Sequence, residues 1–369
     1  MSGFGQQIWL CYAAKRMDNY FDGSRANAQL PPAGTRWRLV LTVAVLILIA
    51  YVPGTSVSAI ESSKDIPGPS DVPAWAFPLN PPAPSNPAPF DKVLSLHVSN
   101  SKASFTEAEL NDLFNAPDWH PTSHSEMPSI VADGRPPDVY ACGFCHTPGG
   151  QGRPENASLA GLPAAYILSQ VADFKSGARR SAWSGPYGPA DRMTHAVTNA
   201  TTEELLSAAA YFAAQSLQPR VAVVESARVP RSHVVGWVYV AEKDGGGEPL
   251  GQRLLEFAPD AVRHENRDDE MRYIAYVPLG SIDRGKLIAQ AGSDSPANAC
   301  SSCHGPQLRG VGLIPPIAGR SPTYILRQLL AFQTGSRSGA AGLPMRTVVK
   351  NLKIGGLIDA AAYAASLPP

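Results

Sequence analysis

The sequence predicts a mainly α-helical protein built from two tandem copies of one helical unit, and three observations carry that prediction. The pentapeptide CGFCH at residues 142–146 returns as CSSCH at residues 300–304. The segment YILSQVADFKSGARR, which begins at Tyr166, returns 158 positions later as YILRQLLAFQTGSRS. In both segments the apolar residues recur at every third or fourth position, which is the spacing of one face of an α-helix. Self-similarity of this kind indicates a duplicated structural unit.

Each pentapeptide has the form C-x-x-C-H, the signature of covalent haem attachment. Two thiols at this spacing can add to the two vinyl groups of one haem, and the histidine that follows can bind the iron. A single motif could also be half of a zinc site or a redox C-x-x-C, but two copies with similar flanking sequence favour haem. The predicted attachment residues are Cys142, Cys145, Cys300 and Cys303, with His146 and His304 as iron ligands.

Both copies have the same order of parts after the haem motif: a glycine-rich loop, an amphipathic helix, a loop with one methionine, and a last helix. The amphipathic helix is predicted at residues 163–176 and again at residues 322–334. The last helix of the first copy is expected to begin after Thr201, because Thr201 and Glu204 form a capping-box pattern. Met193 and Met345 occupy matching places just before the last helix, 47 and 41 residues after their histidines.

With these motifs the chain resembles the class I cytochromes c, and most closely their two-domain, two-haem members. The resemblance covers roughly residues 128–218 and 281–369 and rests on the paired motifs, the downstream methionines and the final helix with its tyrosine. It implies two tandem cytochrome c domains that hold two haem c groups. The implied axial ligand pairs are His146 with Met193 and His304 with Met345. Methionine raises the reduction potential and fills the sixth coordination position, so the implied chemistry is one-electron transfer.

Other residues leave alternatives open at these sites. His195 lies two residues after Met193 and is the nearest rival as an iron ligand. Three arginines that follow the amphipathic helices could pair with haem propionates, because a guanidinium matches a carboxylate. They could equally complement the dipole at the end of a helix. These arginines are Arg179, Arg180 and Arg337.

In the class I family a proline carbonyl often accepts the ring N–H of the iron-ligating histidine, which fixes the orientation of the ring. Pro315 or Pro316 fits this role in the second copy. The first copy has Ala157 and Ser158 at the aligned places, but a carbonyl needs no particular side chain. The second copy also has Gly285 in a helix before its motif, where a close crossing with the last helix is expected. We therefore expect the two haem groups to differ in reduction potential.

Residues 1–60 are predicted to form a basic tail followed by a hydrophobic segment. The uncharged stretch runs from Leu39 to Ile60, and the residues before it carry a net charge of +3. This pattern is typical of a secretory signal with a small-residue cleavage site at residues 57–59. The 38 residues before the stretch are long for such a signal, so a retained anchor is the alternative. Both interpretations predict an exported, periplasmic protein, attached to the inner membrane if the segment is kept.

Residues 61–127 are predicted to be a proline-rich linker that ends in a short helix. Nine prolines lie within residues 67–90, which favours an extended, polyproline-like spacer. The alternative is a strap that lies across the folded protein and is held by Trp75 and Phe77. A short helix is expected at residues 104–115, because Thr106 and Glu109 form a second capping-box pattern.

Residues 219–280 belong to neither copy and are predicted to form a small β-rich connecting segment. SHVVGWVYVA, GQRLLEF and MRYIAYVPL within it are typical of strands. The predicted cytochrome domains then occupy residues 128–218 and 281–369. The sequence does not distinguish between a segment that bridges the two domains and one that docks a partner.

The expected function is electron transfer between redox proteins: a dehydrogenase or quinol oxidoreductase as donor and an oxidase as acceptor. Acidic and basic residues number 31 each, so there is no basic excess of the kind that nucleic-acid binding needs. One alternative is a dihaem enzyme of the peroxidase or thiosulfate-oxidising type, in which the sixth ligand of the first haem is labile. Another is a cytochrome subunit of a dehydrogenase complex.

Overall fold

A computed structural model describes residues 72–82, 85, 88–295 and 298–369 of the protein. The basic tail and hydrophobic segment predicted at residues 1–60 lie outside the described residues, so the signal or anchor stays a prediction. Within the described ranges, no helix is long and apolar enough to cross a lipid bilayer.

Helices dominate the described part of the chain, and short strands separate its two helical regions. The helices are α1 (Glu107–Asn111), α2 (Ser129–Ala132), α3 (Cys142–His146), α4 (Ala164–Lys175), α5 (Gly188–Asn199), α6 (Thr202–Ala214), α7 (Ala261–Glu265), α8 (Ser281–Ala291), α9 (Cys300–His304), α10 (Pro322–Gln333), α11 (Leu343–Val349) and α12 (Ile354–Ser366). The strands are β1 (Ser95–Leu96), β2 (Phe105–Thr106), β3 (Val221–Glu225), β4 (Arg228–Pro230), β5 (Ser232–Val235), β6 (Val238–Ala241), β7 (Gly247–Pro249), β8 (Leu255–Phe257) and β9 (Tyr273–Val277). Short 3-10 helices lie at Ala74–Ala76 and Ala340–Gly342.

The two copies repeat one order of helices: the motif helix (α3, α9), the middle helix (α4, α10), the methionine helix (α5, α11) and the last helix (α6, α12). Each middle helix packs against the methionine helix and the last helix of its own copy. Thr201 caps α6 as predicted: its hydroxyl accepts from the backbone N–H of Glu204, and the Glu204 carboxylate accepts from the N–H of Thr201. The same capping box forms between Thr106 and Glu109 at α1, which is shorter than predicted.

The prediction that each methionine lies in a loop is wrong, because both lie within helices. Met193 is in α5, and Met345 is in α11. Pro189 and Pro344 stand in the first turns of these helices. A backbone N–H has no intrahelical partner there, so a proline begins a helix where it would break one further along.

Helices α8 and α12 of the second copy cross in close contact at Gly285. A Cβ atom at this position would lie 1.9 Å from the backbone oxygen of Asp359 and 2.7 Å from Cβ of Tyr363. Only glycine fits between the two backbones, which confirms the expected close crossing. The first copy has only the short helix α2 before its motif, so its core is assembled without an equivalent of α8.

The segment between the copies contains a five-stranded sheet with the strand order β3-β9-β8-β6-β5. SHVVGWVYVA forms two antiparallel strands, β5 and β6, where a single strand was predicted. Gly236 and Trp237 both have positive φ angles, 57° and 63°, as a two-residue type I′ hairpin turn requires. The Glu225 carboxylate at the end of β3 accepts from the backbone N–H groups of Gly280 and Ile282 at the start of α8. The sheet is thereby joined to the second copy.

Residues 72–80 form a strap that contacts both copies and the connecting segment, which decides between the two interpretations of this segment. Phe77 is buried with core residues of α10 and α12. Its ring stacks on Trp183 at a centroid distance of 5.9 Å and meets the edge of Tyr187 at 5.6 Å. The Tyr239 hydroxyl donates to the carbonyl of Trp75 at 2.8 Å. The free-spacer interpretation is therefore wrong for these residues.

Candidate haem sites

Each C-x-x-C-H motif forms its own short helix, which ends at the histidine of the motif. The thiols of Cys142, Cys145, Cys300 and Cys303 are free. The backbone turns sharply after each helix, at Thr147 with φ 62° and at Gly305 with φ 80°. This turn directs the following loop back past the ring of the histidine, which is buried in both copies.

A main-chain carbonyl orients each of the two histidines. His146 Nδ1 lies 2.8 Å from the carbonyl oxygen of Ala157, and His304 Nδ1 lies 2.8 Å from that of Pro315. A carbonyl can only accept, so each Nδ1 carries the proton, and Nε2 keeps its lone pair for a metal. The bond expected from Pro315 is present, and the first copy makes it without a proline. In both copies the acceptor is 11 residues after the histidine.

Burial sets the protonation of the ligating groups. It lowers the pKa of His146 and of His304, which favours the neutral imidazole that ligates iron. Burial also raises the pKa of the Cys142 thiol to about 12. A redox C-x-x-C needs an activated thiolate with a lowered pKa, so this burial argues against a dithiol oxidoreductase.

The zinc interpretation of the motifs also lacks support. A structural zinc site needs about four ligands gathered around one point. In the described residues, neither motif belongs to a group of three or more histidine, cysteine or carboxylate side chains at metal-ligating separation. The orientation of the two histidines is compatible with the haem interpretation.

The structure places each predicted methionine ligand on a helix separate from the motif. Met193 and Met345 are both half-buried, and Met345 packs against the core of the second copy. His195, the rival ligand, is exposed and stacks on Tyr140 with ring centroids 5.0 Å apart. Tyr140 lies two residues before the first motif, so α5 reaches the edge of that site. Iron ligation by either methionine stays a prediction.

Residues at the 158-position offset of the repeat meet each other where the two copies touch. The Arg179 guanidinium donates to the Tyr324 hydroxyl at 2.8 Å and to Gln328 Oε1 at 2.9 Å in the second copy. Arg337 of the second copy donates to the Tyr166 hydroxyl at 2.9 Å in the first. The backbones of Arg179 and Arg337 also pair in an antiparallel bridge. The contacts are reciprocal, as at a two-fold axis.

These two arginines make a contact that the sequence did not suggest, because their guanidinium groups join the two copies. Pairing with haem propionates stays a prediction. In the sequence, the tyrosine, glutamine and arginine pairs are all separated by the same offset of the repeat. This offset shows that the residues are equivalent in the two copies, but it does not show that they contact each other. Arg179 and Arg337 are buried, and neither forms an ion pair with a carboxylate within the described ranges. Uncompensated buried cations are costly, so this interface can accept the anionic propionates of a haem group. The residues present therefore fit haem.

Arg267 is a residue near the first site that the sequence gave no reason to single out. It lies in the loop after α7, and its guanidinium carbon is 3.5 Å from the ring centroid of Phe144 inside the first motif. It also donates to the carbonyl of Phe144 at 3.2 Å. Burial lowers the pKa of Arg267 to about 9. The connecting segment thus places a buried cationic side chain against the first motif helix.

Comparison with known proteins gives matches of two lengths, and no family model matches the chain. A stretch of 79 residues is 33% identical to cytochrome c-554(548) of Halomonas halodenitrificans and covers 21% of this chain and 94% of that protein. A stretch of 84 residues is 36% identical to cytochrome c-552 of Acidithiobacillus ferridurans, covering 22% of this chain and 35% of that protein. The chain thus spans about a third of the length of this second relative.

A longer match covers 208 residues at 28% identity, or 55% of this chain and 68% of the relative. This relative, from Thiomonas intermedia strain K12, is named thiosulfate dehydrogenase electron acceptor. Among solved structures, cytochrome c4 of Acidithiobacillus ferrooxidans superposes with a TM-score of 0.41 at 21% identity, covering 61% of this chain and 98% of that one.

Proposed function

Because the chain belongs to the class I cytochrome c family, we propose that it is a periplasmic dihaem cytochrome that carries single electrons between redox proteins. The observation that carries the proposal is the duplicated histidine geometry. Two motif helices each present a buried imidazole whose Nδ1 is bonded to a carbonyl at 2.8 Å. The two haem c groups, held through Cys142, Cys145, Cys300 and Cys303, supply the one-electron chemistry.

The groups around the motifs support the proposed sites. Cys142 packs against the core of the first copy and Cys300 against that of the second. The carbonyls of Ala157 and Pro315 keep the rings of the histidines in one orientation. An electron carrier needs small reorganisation between its oxidised and reduced states, and a packed, hydrogen-bonded surround of this kind provides it.

Electron transfer between the two haem groups is part of the proposal. The reciprocal bonds of Arg179 and Arg337 hold the two copies in one arrangement, so the distance between the haem groups stays constant. Arg267 places positive charge against the first motif helix. A nearby cation disfavours the more positive, oxidised iron. We therefore expect unequal potentials, with the first raised by Arg267.

Export and partners complete the proposal. Residues 1–60 have the composition of a signal or anchor, and haem attachment in this family takes place outside the bacterial cytoplasm. The donor is proposed to be a dehydrogenase or quinol oxidoreductase and the acceptor an oxidase or another cytochrome. A dehydrogenase as donor is favoured by the relative that is named for accepting electrons from thiosulfate dehydrogenase.

The test is a redox titration of the exported protein together with haem quantitation. We expect two thioether-linked haem groups per chain and two separate one-electron midpoints. Ferric haem with methionine ligation should give a weak near-infrared sulfur-to-iron band, and carbon monoxide should bind slowly. Fewer than two attached haem groups per chain would contradict the proposal.

A second candidate function is a dihaem enzyme with a labile sixth ligand at the first haem. It is favoured by the unequal methionine helices, 12 residues in α5 and seven in α11. Trp237 of the connecting segment lies against α5, 5.3 Å from the Arg192 guanidinium. Rapid carbon monoxide binding to half of the haem would support this enzyme.

A role as a subunit of a dehydrogenase complex predicts co-purification with that complex from membranes.

A further inference from the structure

A buried cluster of three potential metal ligands lies away from both haem motifs. It consists of His120, in the segment between α1 and α2, and of Asp268 and Asp269, in the loop between α7 and β9. One ring nitrogen and one carboxylate oxygen from each aspartate all lie within 4.8 Å of one another. All three residues are buried, with exposed fractions of 8%, 4% and 3%. Nothing in the haem chemistry requires this cluster.

Asp269 shows that the cluster lacks a partner. Its Oδ1 is buried and has no hydrogen-bond donor among the described residues. A buried carboxylate oxygen without a partner destabilises the fold, because the oxygen has lost its water and nothing in the protein replaces it. By contrast, Asp268 accepts from Arg263 at 2.6 Å and lies 3.1 Å from His120 Nε2. The carboxylate of Asp269 is therefore the group that a bound cation would satisfy.

The charge balance around the cluster favours a cation. Asp268 and Asp269 lie beside a third carboxylate, Glu270, whose Oε2 is 3.9 Å from His120 Nε2. The nearby guanidinium groups are Arg263, which pairs with Asp268, and Arg220, whose buried Nε has no partner within the described part of the chain. Three carboxylates against two guanidinium groups leave a negative excess at neutral pH, before any contribution from histidine.

We propose that His120, Asp268 and Asp269 form a binding site for one divalent transition-metal ion, with Glu270 positioned to supply a fourth ligand. An imidazole among carboxylates suits zinc and its neighbours better than calcium or magnesium, which prefer oxygen alone. In a tetrahedral zinc site with bonds of about 2.0–2.2 Å, ligand atoms lie roughly 3.3–3.5 Å apart. The separations of 3.1 and 3.9 Å from His120 Nε2 bracket this value.

Such an ion would join parts of the chain that are far apart in sequence. His120 and Asp268 are 148 residues apart. The Trp119 indole already donates to the carbonyl of Asn266 at 2.7 Å, so the two segments are in contact beside the cluster. The metal would lock the segment before the first cytochrome unit to the connecting segment, and its site is structural.

The experiment uses the haem-loaded, untagged protein after dialysis against a chelator, with Zn²⁺ as the probe. Calorimetry should show one tight site per chain, and Zn²⁺ should raise the melting temperature by mass action. Asp269→Asn keeps the shape of the side chain and should weaken binding by about 100-fold or more. His120→Ala should do the same. Haem absorbance reports whether each variant is folded.

His233→Ala is the matched control, because His233 is a half-exposed histidine of the connecting segment outside the cluster. It should leave Zn²⁺ affinity and the zinc-dependent rise in melting temperature unchanged. Arg220→Gln removes a nearby positive charge and should keep or tighten binding. The proposal is overturned if folded wild-type protein binds no zinc, or if Asp269→Asn binds it as tightly as wild type.

Discussion

At the scale of single residues, the chemistry of each site depends on the atom that completes the iron coordination opposite the histidine. A thioether is a neutral, soft donor that favours ferrous iron and raises the potential. Met193 and Met345 are half-buried on helices that pack against the middle helix of their own copy. A helix restricts the positions of its side chains more than a loop does, so the helices hold both methionine side chains in defined positions.

We predict that Met345→Ala lowers the potential of the second haem by a sizeable part of the roughly 0.8 V range that axial ligands span. The near-infrared sulfur-to-iron band should lose about half its intensity. Met127→Ala is the control, because Met127 packs at the edge of the first core and has no counterpart in the repeat. A titration of Met345→Ala that matches wild type would show that another group ligates this iron.

A second prediction at this scale concerns Glu256, a carboxylate that is 1% exposed in β8. One of its oxygens accepts from the Ser321 hydroxyl at 2.6 Å, and the other has no donor among the described residues. Burial raises the pKa of Glu256 above its ordinary value of 4.5. Above pH 4.5 the folded chain therefore holds a proton that the unfolded chain releases, and stability falls as the pH rises through this window.

Glu256→Gln should remove this dependence. The variant should be more stable than wild type at pH 8, and the difference should narrow as the pH falls toward 4.5. Urea unfolding of the haem-loaded proteins at several pH values measures this difference in the free energy of unfolding. Glu265→Gln, which changes an exposed carboxylate on α7, should show no such trend. If the free energy of unfolding of both variants differs from that of wild type by an amount that does not change with pH, the raised pKa of Glu256 is refuted.

At the scale of elements, α8 and α12 of the second copy cross with their backbones in close contact at Gly285. Gly285→Ala places a methyl group 1.9 Å from a backbone oxygen, so the helices must separate. We expect a loss of at least about 3 kcal/mol, above the usual cost of overpacking. Gly355→Ala is the matched control in α12, since its added Cβ would meet only Gln252 at 3.5 Å. It should be neutral or slightly stabilising in chemical denaturation.

Local signals in the sequence predicted local structure well. Thr201 with Glu204 and Thr106 with Glu109 form the expected capping boxes, because every atom of a capping box lies within four residues. The loops predicted around the methionines were wrong, because a proline has opposite effects at the start and in the middle of a helix. A main-chain acceptor has no sequence signature of its own, so the partner of His146 could be anticipated only by alignment with the second copy, which indicated Ala157 or Ser158. The structure shows that the carbonyl of Ala157 is the acceptor.

Long-range placement could not be predicted from one sequence. Arg179 contacts Tyr324 across 145 positions, and His120 contacts Asp268 across 148. Neither pair shares a periodic pattern, and each depends on how whole units pack. For the same reason the sequence could not decide whether the proline-rich segment is a free spacer or a strap. Such a segment is extended in both cases, and only the burial of Phe77 distinguishes them.

At the scale of the whole molecule, the interface between the copies contains several buried guanidinium groups. Arg179 and Arg337 make the reciprocal contacts, and Arg320 and Arg327 donate to carbonyls of the first copy. Arg337→Met removes the donors to the Tyr166 hydroxyl and to Gln170 Oε1. Gln170 keeps its bond from Arg179, but the Tyr166 hydroxyl loses its arginine donor inside the interface. We expect a loss of roughly 2 kcal/mol in the free energy of unfolding. Arg337→Lys should not restore it, because one ammonium cannot replace a planar fork of donors.

Arg180→Met is the control for this prediction. Arg180 is exposed, and it contributes a backbone N–H bond to Ser336 that the substitution leaves in place. The free energy of unfolding of Arg180→Met should fall by no more than about 0.5 kcal/mol. Equal losses for Arg337→Met and Arg180→Met would place the stability of the interface in its backbone pairing rather than in the guanidinium groups.

The reciprocal contacts between the copies also bear on the origin of the chain. A surface whose arginine reaches the tyrosine and glutamine of its own duplicate is self-complementary, as an isologous homodimer interface must be. A single ancestral unit with these residues could already have paired with itself. Fusing two such units fixes them at a one-to-one ratio in every cell, and each half is then free to evolve separately. The long α8 of one half and the Arg267 contact at the motif of the other are differences that such a fusion permits.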